Sequence, residues 1–172
     1  MLKIARAVTA DQHSQARELI AELAEWDASR VRQLGLDGQE VVRFYYSTPE
    51  DVFAGPFEPP DGCLLLATDP TRAAGCGAFH RLGDDACEMK HMYVRPEFRG
   101  MRVGRQIAEV LVATAREAGY RWMRLETTTF MDGARALYAS VGFRPCDPYY
   151  AIPESFRAIT VFMEIDLTRP SS

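Results

Sequence analysis

Residues 92–120 have the sequence "MYVRPEFRGMRVGRQIAEVLVATAREAGY", which predicts a strand, a turn and a helix in succession. The apolar positions of the helix share the spacing of one face: Val103, Ile107, Val110, Leu111 and Thr114. This stripe predicts that the helix packs one side on a core. Gly119 is expected to end the helix, because glycine readily adopts the left-handed conformation that commonly follows the last turn.

The turn before this helix is rich in glycine and arginine: Arg99, Gly100, Arg102, Gly104 and Arg105. The first N–H groups of a helix have no acceptor within it and lie at the positive end of its dipole, so they suit an anion such as pyrophosphate. A solvated helix start with basic side chains is the alternative interpretation. The sequence contains no P-loop, and Gly75-Cys76-Gly77 lacks the third glycine of a dinucleotide fingerprint.

Strand and helix patterns alternate along the rest of the chain. Six stretches have strand patterns: "LKIARAV", "CLLLAT", "AAGCGAFHRL", "ACEMKHMYV", "YRWMRLETTT" and "AITVFMEIDL". Two further helices are predicted, over 11–26 with an N-cap between Thr9 and Asp11, and over 132–143. Their apolar stripes consist of Ala16, Leu19, Ile20 and Leu23, and of Ala134, Leu137, Tyr138 and Val141. We therefore expect an α/β fold, a mixed sheet with helices on both faces.

Composition limits the class of protein. A chain of 172 residues that is 47% hydrophobic and 26% charged is typical of one soluble globular domain, here residues 1–172. The net charge of −4 argues against non-specific binding to nucleic acid or to an anionic membrane. The N-terminus lacks the apolar core of a signal peptide, and no apolar run reaches the ~18 residues of a membrane span. A cytoplasmic protein is expected, as a monomer or a homodimer.

The segment 28–62 mixes short helical periods with glycine and proline, which predicts a broken helix and a long loop. Such a loop commonly shapes a binding site, although a plain surface connection explains the pattern equally well.

Cysteine and histidine residues suggest a possible metal site in the predicted hairpin. Its candidate ligands are Cys76, His80, Cys87 and His91. A turn at "GDD" would set Cys76 opposite His91 and His80 opposite Cys87. Four residues of a strand span about 13 Å, so the two pairs could not share one zinc ion. We expect no metal site, and we expect all four cysteines of the chain to be reduced.

Two segments resemble motifs of the GCN5-related N-acetyltransferases (GNAT family). Residues 92–120 resemble the acetyl-CoA-binding segment, with its signature Q/R-x-x-G-x-G/A, and "ARALYASVGFR" resembles the second motif around L-Y-x-x-x-G-F. The two matches have the family's order and separation and cover residues 86–167. Arg102 replaces the middle glycine of the signature, and Met131 replaces a common asparagine. The Arg102 N–H persists, so the turn is expected to keep its function as long as φ there need not be positive.

The resemblance implies a mostly antiparallel sheet of six or seven strands that binds acetyl-CoA. The pyrophosphate would contact backbone N–H groups and nearby arginines in the turn: Arg99, Gly100, Met101, Arg102, Val103, Gly104 and Arg105. The pantetheine arm would pair, as an added strand, with the backbone of Met92, Tyr93 and Val94. The alternative for these three residues is an ordinary buried strand, and both can be true together.

The implied reaction is acetyl transfer to an amine, which must lose a proton before it can attack. Glu88 matches the position at which some family members have a general base, with Glu126 and His91 in reserve. The alternative for Glu88 is a structural glutamate at the strand edge, paired with Lys90 or an arginine. Tyr138 matches the tyrosine that protonates the departing sulfur, and from its apolar stripe alone it would be a core aromatic residue. An acetyl-cysteine route through Cys76 or Cys87 would need an activated thiolate.

The predicted function is therefore direct transfer from acetyl-CoA to a primary amine in a ternary complex, without a metal. The acceptor could be a small amine, an amino acid, or a protein lysine or N-terminus. Tyr149, Tyr150 and Arg157 either line the acceptor pocket or belong to a proline-containing surface loop. The alternative function is a non-catalytic acyl-CoA-binding sensor or regulatory module.

Overall fold

The computed structural model describes residues 2–47 and 53–169. The longer helices are α1 (Ala10–Gln33), α3 (Val103–Glu117) and α4 (Asp132–Val141), and α2 (Gly38–Val41) is a single turn. The strands are β1 (Lys3–Arg6), β2 (Cys63–Thr68), β3 (Ala73–Arg81), β4 (Ala86–Val94), β5 (Trp122–Thr128), β6 (Arg144–Pro145) and β7 (Thr160–Asp166).

The seven strands described form one sheet in the order β1-β2-β3-β4-β5-β7-β6. Only β4 and β5 run parallel; the other neighbours are antiparallel. The expected mixed, mostly antiparallel α/β sheet is therefore confirmed. The parallel pair follows from the connection, because helix α3 carries the chain from the end of β4 back to the start of β5.

The helices cover the two faces of this sheet. Helix α3 packs on one face, where Ile107 and Leu111 join Met89, Met123 and Leu125 in the main core. Helix α1 covers the other face with Leu19 and Ile20, packed against Leu64 and Leu66 of β2. Helices on both faces were predicted from the alternation of patterns.

The buried face of α3 differs in part from the predicted stripe. Val103, Ile107 and Leu111 are buried as expected, but Val110 is 40% exposed. The buried set instead includes Ala108, Val112 and Ala115. A methyl group on Gly77 would lie only 2.6 Å from Ile107 Cγ2, so the helix packs very close to β3. Small residues permit that approach, and the contact rotates Val110 toward solvent.

Helix α1 begins as predicted and ends later. The Thr9 hydroxyl accepts a hydrogen bond from the Gln12 N–H, and the Gln12 side chain accepts one from the Thr9 N–H, which forms a capping box. The helix continues to Gln33 instead of stopping near residue 26. A π-helical turn follows α2 at Val42–Tyr46. Part of the predicted loop, residues 48–52, lies outside the described residues.

Strands β4 and β5 diverge after a short pairing. Their ladder ends where Glu88 lies beside Arg124, although β4 continues to Val94. Farther along, Ala78 pairs with Lys90 and Cys76 pairs with Tyr93. Between these two pairs, β4 has one residue more than β3. His91 lies in this bulge with φ +57°. The bulge bends β4 away from β5 and opens a gap between the two strands.

The hairpin register differs from the predicted one. His80 pairs with Glu88 instead of Cys87, and Cys76 pairs with Tyr93 instead of His91. One residue of the shift arises at the turn, which is longer than "GDD" alone, and the second arises at the bulge. The four candidate zinc ligands therefore do not face one another in the pairs that were predicted.

Candidate active site

The turn before α3 has two residues in the left-handed conformation, Gly100 with φ +81° and Arg102 with φ +61°. The first hydrogen bond of the helix runs from the Gln106 N–H to the Arg102 carbonyl, so the N–H groups of Val103, Gly104 and Arg105 precede it. The turn was expected to keep its function as long as φ at Arg102 need not be positive, but the observed φ is positive. The turn forms nevertheless, and the left-handed conformation of this non-glycine residue costs about 1 kcal/mol.

A cavity of about 660 Å³ lies against this turn and the end of β4. It is lined by nine of the predicted cofactor-binding residues: Met92, Tyr93, Val94, Arg99, Gly100, Arg102, Val103, Gly104 and Arg105. Met101 is the exception, since its side chain is exposed and does not line the cavity. One end of the cavity is thus basic and rich in free N–H groups.

The three arginines of the turn differ in their contacts. Arg99 Nε donates a hydrogen bond to the Val94 carbonyl at 3.1 Å, and Arg105 Nε pairs with Glu109 at 2.7 Å. The Arg102 side chain makes no hydrogen bond or ion pair with the residues that the structure describes. Its guanidinium is therefore the one most readily available to an anion in the cavity.

The opposite wall of this cavity was not predicted. It includes Trp26 of α1 and Phe130 of the β5–α4 loop, whose ring centroids are 6.1 Å apart. No motif marks either residue. They meet only because α1 crosses the sheet face beside the loop that follows β5.

A second, smaller cavity of about 70 Å³ occupies the gap between β4 and β5. Its strand walls are Met89, Lys90, His91 and Met92 on one side and Glu126, Thr127 and Thr128 on the other. Asp27, Tyr45 and Tyr46 close it from the α1 side. Leu23, Met92, Met131 and Tyr138 line both cavities. The large and small cavities therefore meet at these four side chains.

Tyr138 lies on α4 at this meeting point. It is 7% exposed and packs edge-on against Phe143. Its hydroxyl hydrogen-bonds none of the residues described, so it is available to a bound molecule. Burial raises the pKa of Tyr138 above its usual value, and the charges of Glu126 and Asp27 add to the rise. The phenol stays protonated well above neutral pH.

Glu88 lies outside both cavities, in a network of donors. Its carboxylate is 2.9 Å from His80 Nε2, accepts a hydrogen bond from the Tyr149 hydroxyl at 2.8 Å, and lies 3.7 Å from Lys90 Nζ. Burial would raise the pKa of Glu88, but the His80 contact, the Lys90 charge and the Tyr149 hydrogen bond together hold it below its usual value. A carboxylate with these partners is a weak base.

Glu126 has the opposite surroundings. It lines the small cavity, and its carboxylate hydrogen-bonds none of the described residues. Burial raises its pKa to about 8; the charges of Glu88 and Asp27 add to the rise, and Lys90 opposes it. His91 lines the same cavity, but burial lowers its pKa to about 3, so it is neutral and weakly basic. Of the three predicted base candidates, Glu126 has the pKa best suited to neutral pH.

A family model for the acetyltransferase (GNAT) family matches residues 37–143, more than half of the chain. The chain belongs to this family. It is therefore an acyltransferase, and the resemblance inferred from its two motifs is confirmed. The match includes β4, the turn, α3, β5 and α4, which supply most of the residues that line the two cavities; the lining residues from α1 lie outside it.

Relatives of this GNAT protein support the same assignment. An uncharacterized N-acetyltransferase of Schizosaccharomyces pombe is 37% identical over 113 residues, which is 63% of this chain and 69% of the relative. The structure of a GNAT-family acetyltransferase of Staphylococcus aureus Mu50 shares the fold, with a TM-score of 0.73 and 17% identity over 97% of this chain and 99% of that one.

A further structure, a GNAT acetyltransferase of Elizabethkingia anophelis, was solved with acetyl-CoA bound. Its TM-score to this GNAT protein is 0.53 at 20% identity, over 69% of this chain and 83% of that one. Among the helices described, none is both long and apolar enough to cross a bilayer.

The side chains predicted as a possible acceptor pocket, Tyr149, Tyr150 and Arg157, contact other residues of this acetyltransferase outside the small cavity. The Tyr149 ring packs on Phe162 and its hydroxyl bonds Glu88, while Arg157 is exposed and pairs with Glu154. Neither Tyr149 nor Tyr150 lines the small cavity as described.

The buried thiols of this acetyltransferase are unreactive. Burial raises the pKa of Cys76 and of Cys87 to about 12. The Cys76 thiol also donates a hydrogen bond to the His91 carbonyl, 3.3 Å away. Neither cysteine is a thiolate at neutral pH, which disfavours an acetyl-cysteine route.

One residue that lines the small cavity escaped the sequence analysis altogether. Asp27 follows the predicted end of α1, but the helix continues and its buried face runs through Leu23, Asp27 and Val31. An aspartate on an apolar helical stripe is a signal that could have identified it, because a buried charge needs a specific partner or a role.

Proposed function

We propose that this chain transfers an acetyl group from acetyl-CoA to a primary amine by direct attack in a ternary complex. The position of Tyr138 is the main support, since its side chain lines both the large cavity at the α3 turn and the small cavity between β4 and β5. A molecule in each cavity would meet the other beside this hydroxyl.

The large cavity has the chemistry that coenzyme A requires. The N–H groups of residues 103–105 and the free Arg102 guanidinium suit the pyrophosphate. The ladder between β4 and β5 ends at Glu88, so the β5-facing backbone of Met92–Val94 can pair with the amides of a pantetheine arm. The acetyl thioester would supply the electrophilic carbonyl carbon.

Glu126 and Tyr138 have the properties that the two proton transfers need. A primary ammonium with a pKa of about 10.4 must lose a proton before attack, and a carboxylate with a pKa of about 8 is a suitable acceptor. The neutral nitrogen then bonds to the carbonyl carbon, and the C–S bond breaks with its electron pair on sulfur. Tyr138 protonates the sulfur and is reprotonated from solvent, the nitrogen loses its surplus proton, and one proton is released overall.

Glu88 remains the prediction of the sequence motif for the base. Glu88 lies outside the small cavity, and its contacts with His80, Tyr149 and Lys90 make it a weak base. Both observations favour Glu126 as the base.

The test is release of coenzyme A thiol from acetyl-CoA, with primary amines and with alcohols of the same chain length. Amines should react and alcohols should not. Tyr138→Phe removes only the hydroxyl, so kcat should fall by roughly 10²–10³ while acetyl-CoA affinity and the thermal midpoint stay constant. Faster transfer to alcohols, or no thiol release with any amine, would contradict the proposal; the second result would favour a binding module.

A core role for Tyr138 gives another pattern in the same measurements. The variant would lose about 1 kcal/mol of stability if the hydroxyl had a partner, with the rate per folded molecule preserved. The raised pKa of Tyr138 adds a further check. Wild-type activity should show no loss from phenol ionisation as the pH approaches 10, the ordinary tyrosine pKa.

A further inference from the structure

Asp27 has an unsatisfied oxygen deep in the protein. The residue is only 7% exposed. The Tyr46 hydroxyl donates a hydrogen bond to Oδ2, whereas Oδ1 has no hydrogen-bond partner among the described residues. A buried carboxylate oxygen without a donor is costly, and such atoms are rare in folded proteins. A ligand with an N–H donor or a positive charge would satisfy it.

Asp27 and Glu126 line the same space. Both line the small cavity of about 70 Å³ between β4 and β5 and an adjoining cavity of about 20 Å³. Tyr45 and Thr128 also line both, which places the two carboxylates at the junction. The residues come from α1 and β5, so only the folded chain brings them together.

The other groups around the two carboxylates are aromatic or already paired. Tyr45, Tyr46, Phe130 and Phe156 supply rings to one or both cavities. Lys90 is the cationic side chain that lines the small cavity, and its Nζ lies 3.7 Å from Glu88. Aromatic faces and carboxylates both attract an organic cation, and the small volume favours a slender one.

We propose that Asp27 binds the ammonium group of the acceptor, and that it restricts the acceptor to slender alkylamines without a carboxylate beside the amine. This inference rests on the proposed function. The two carboxylates have different roles: Asp27 binds the ammonium group through Oδ1, and Glu126 accepts a proton from that ammonium group. An α-amino acid would bring its own carboxylate close to that of Asp27, and like charges repel strongly where water is scarce.

Three acceptor probes separate charge from shape. Pentylamine has one ammonium group on a slender chain, norleucine adds a carboxylate at the α-carbon, and norleucinamide replaces that carboxylate with a neutral amide. Thiol release from acetyl-CoA should give kcat/KM for pentylamine at least 100-fold above that for norleucine, with norleucinamide between them. Equal values for pentylamine and norleucine would overturn the inference.

Asp27→Asn tests the residue directly, because asparagine keeps an acceptor for Tyr46 but removes the charge. The KM for pentylamine should rise at least tenfold while kcat changes by less than threefold, and the preference over norleucine should shrink. Glu25→Gln is the matched control, since Glu25 is an exposed carboxylate on the same helix that pairs with Arg32. It should leave both constants unchanged. An unchanged KM in folded Asp27→Asn would overturn the role of Asp27.

A binding measurement keeps this inference separate from the proposed function. Calorimetric titration of pentylamine into the enzyme–CoA complex should show binding to the wild type and to Glu25→Gln, and at least tenfold weaker binding to Asp27→Asn. Binding with this pattern but no thiol release would contradict acetyl transfer and leave the ammonium site standing. Thiol release from pentylamine with equal affinity in all three proteins would support acetyl transfer and reject the site.

Discussion

The large cavity at the α3 turn and the small cavity between β4 and β5 together form one cleft, and its two ends are built differently. At the turn before α3, the groups offered to a ligand are mostly backbone N–H groups within a few consecutive residues, with Arg102 beside them. Between β4 and β5, they are side chains from α1, β4, β5 and α4. The first end depends on local conformation, and the second depends on how distant segments pack.

The difference shows most clearly in the two glutamates on neighbouring strands. Glu88 lies where β4 and β5 are still paired, and His80, Lys90 and Tyr149 stabilise its charged form. Glu126 lies beyond the point where the strands separate, and it faces a cavity. The same residue type therefore has a lowered pKa in one position and a raised pKa in the other. The two surroundings differ because the β4–β5 ladder ends between the two glutamates.

The largest expected effect tests this contrast. Glu126→Gln should lower kcat/KM for a primary amine by about 10²–10⁴ near neutral pH, because glutamine cannot accept the proton, and activity should recover in part at high pH where free amine is available. Wild-type activity should rise with pH through about 8, as Glu126 loses its proton. Rate profiles from pH 5.5 to 10 measure both.

Glu88→Gln is the matched comparison on the neighbouring strand. It should cost about 1–3 kcal/mol of stability, because buried donors lose a charged acceptor, and should change kcat per folded molecule by less than about tenfold. If instead Glu88→Gln produced the large loss and Glu126→Gln did not, the base would be Glu88, as the motif predicts.

The raised pKa of Glu126 also links stability to pH. Between the unfolded value of 4.5 and about 8, the folded state holds a proton that the unfolded state has released. The free energy of unfolding contributed by this group therefore falls as the pH rises through that window, and it levels off above it. Glu126→Gln should remove the slope, so its thermal midpoint should gain on the wild type from pH 5 to pH 8.5. Parallel midpoints across this range would mean that folding does not raise the pKa of Glu126.

A smaller effect is expected at the backbone-built end. A methyl group on Gly104 would lie 3.4 Å from Leu137 Cδ2 and 3.6 Å from Val94 Cγ2, so alanine fits there. The further methyl groups of valine would enter the space against the helix start. Gly104→Val should therefore weaken CoA binding by well over tenfold, at least about 1.4 kcal/mol, with Gly104→Ala as the control for folding. Unaltered affinity in folded Gly104→Val would move the phosphate site elsewhere.

The smallest effect concerns Arg102, whose φ of +61° suits glycine. Arg102→Gly should relieve left-handed strain of about 1 kcal/mol, part of which the entropy of glycine offsets. Arg102→Ala should keep the strain. Both variants lose the guanidinium, so both should bind CoA a few-fold more weakly than the wild type. Chemical denaturation and CoA titration separate the two effects. A glycine variant no more stable than the alanine variant would show that this turn is relaxed.

Much of the fold was predictable because it depends on local periodicity. The stripe on α4, the N-cap at Thr9 and the strands on either side of the turn at 82–85 all follow from neighbouring residues. The errors occurred where a partner mattered. Val110 belongs to the apolar stripe of α3, but the close approach of Ile107 to Gly77 turns it toward solvent. The hairpin register shifted at two places, the turn at 82–85 and the bulge at His91, and neither shift can be recognised from alternation alone.

The candidate site divides along the same line. The local pattern of residues 92–105, together with its resemblance to the family motif, predicts a phosphate-binding turn, since backbone groups need only the right succession of conformations. The folded chain was needed to distinguish Glu126 from Glu88 and to find Asp27. The basicity of a carboxylate depends on its burial and its neighbours, and those neighbours come from α1, β3, β4 and the loop with Tyr149. No spacing along the chain encodes which of them will face a cavity.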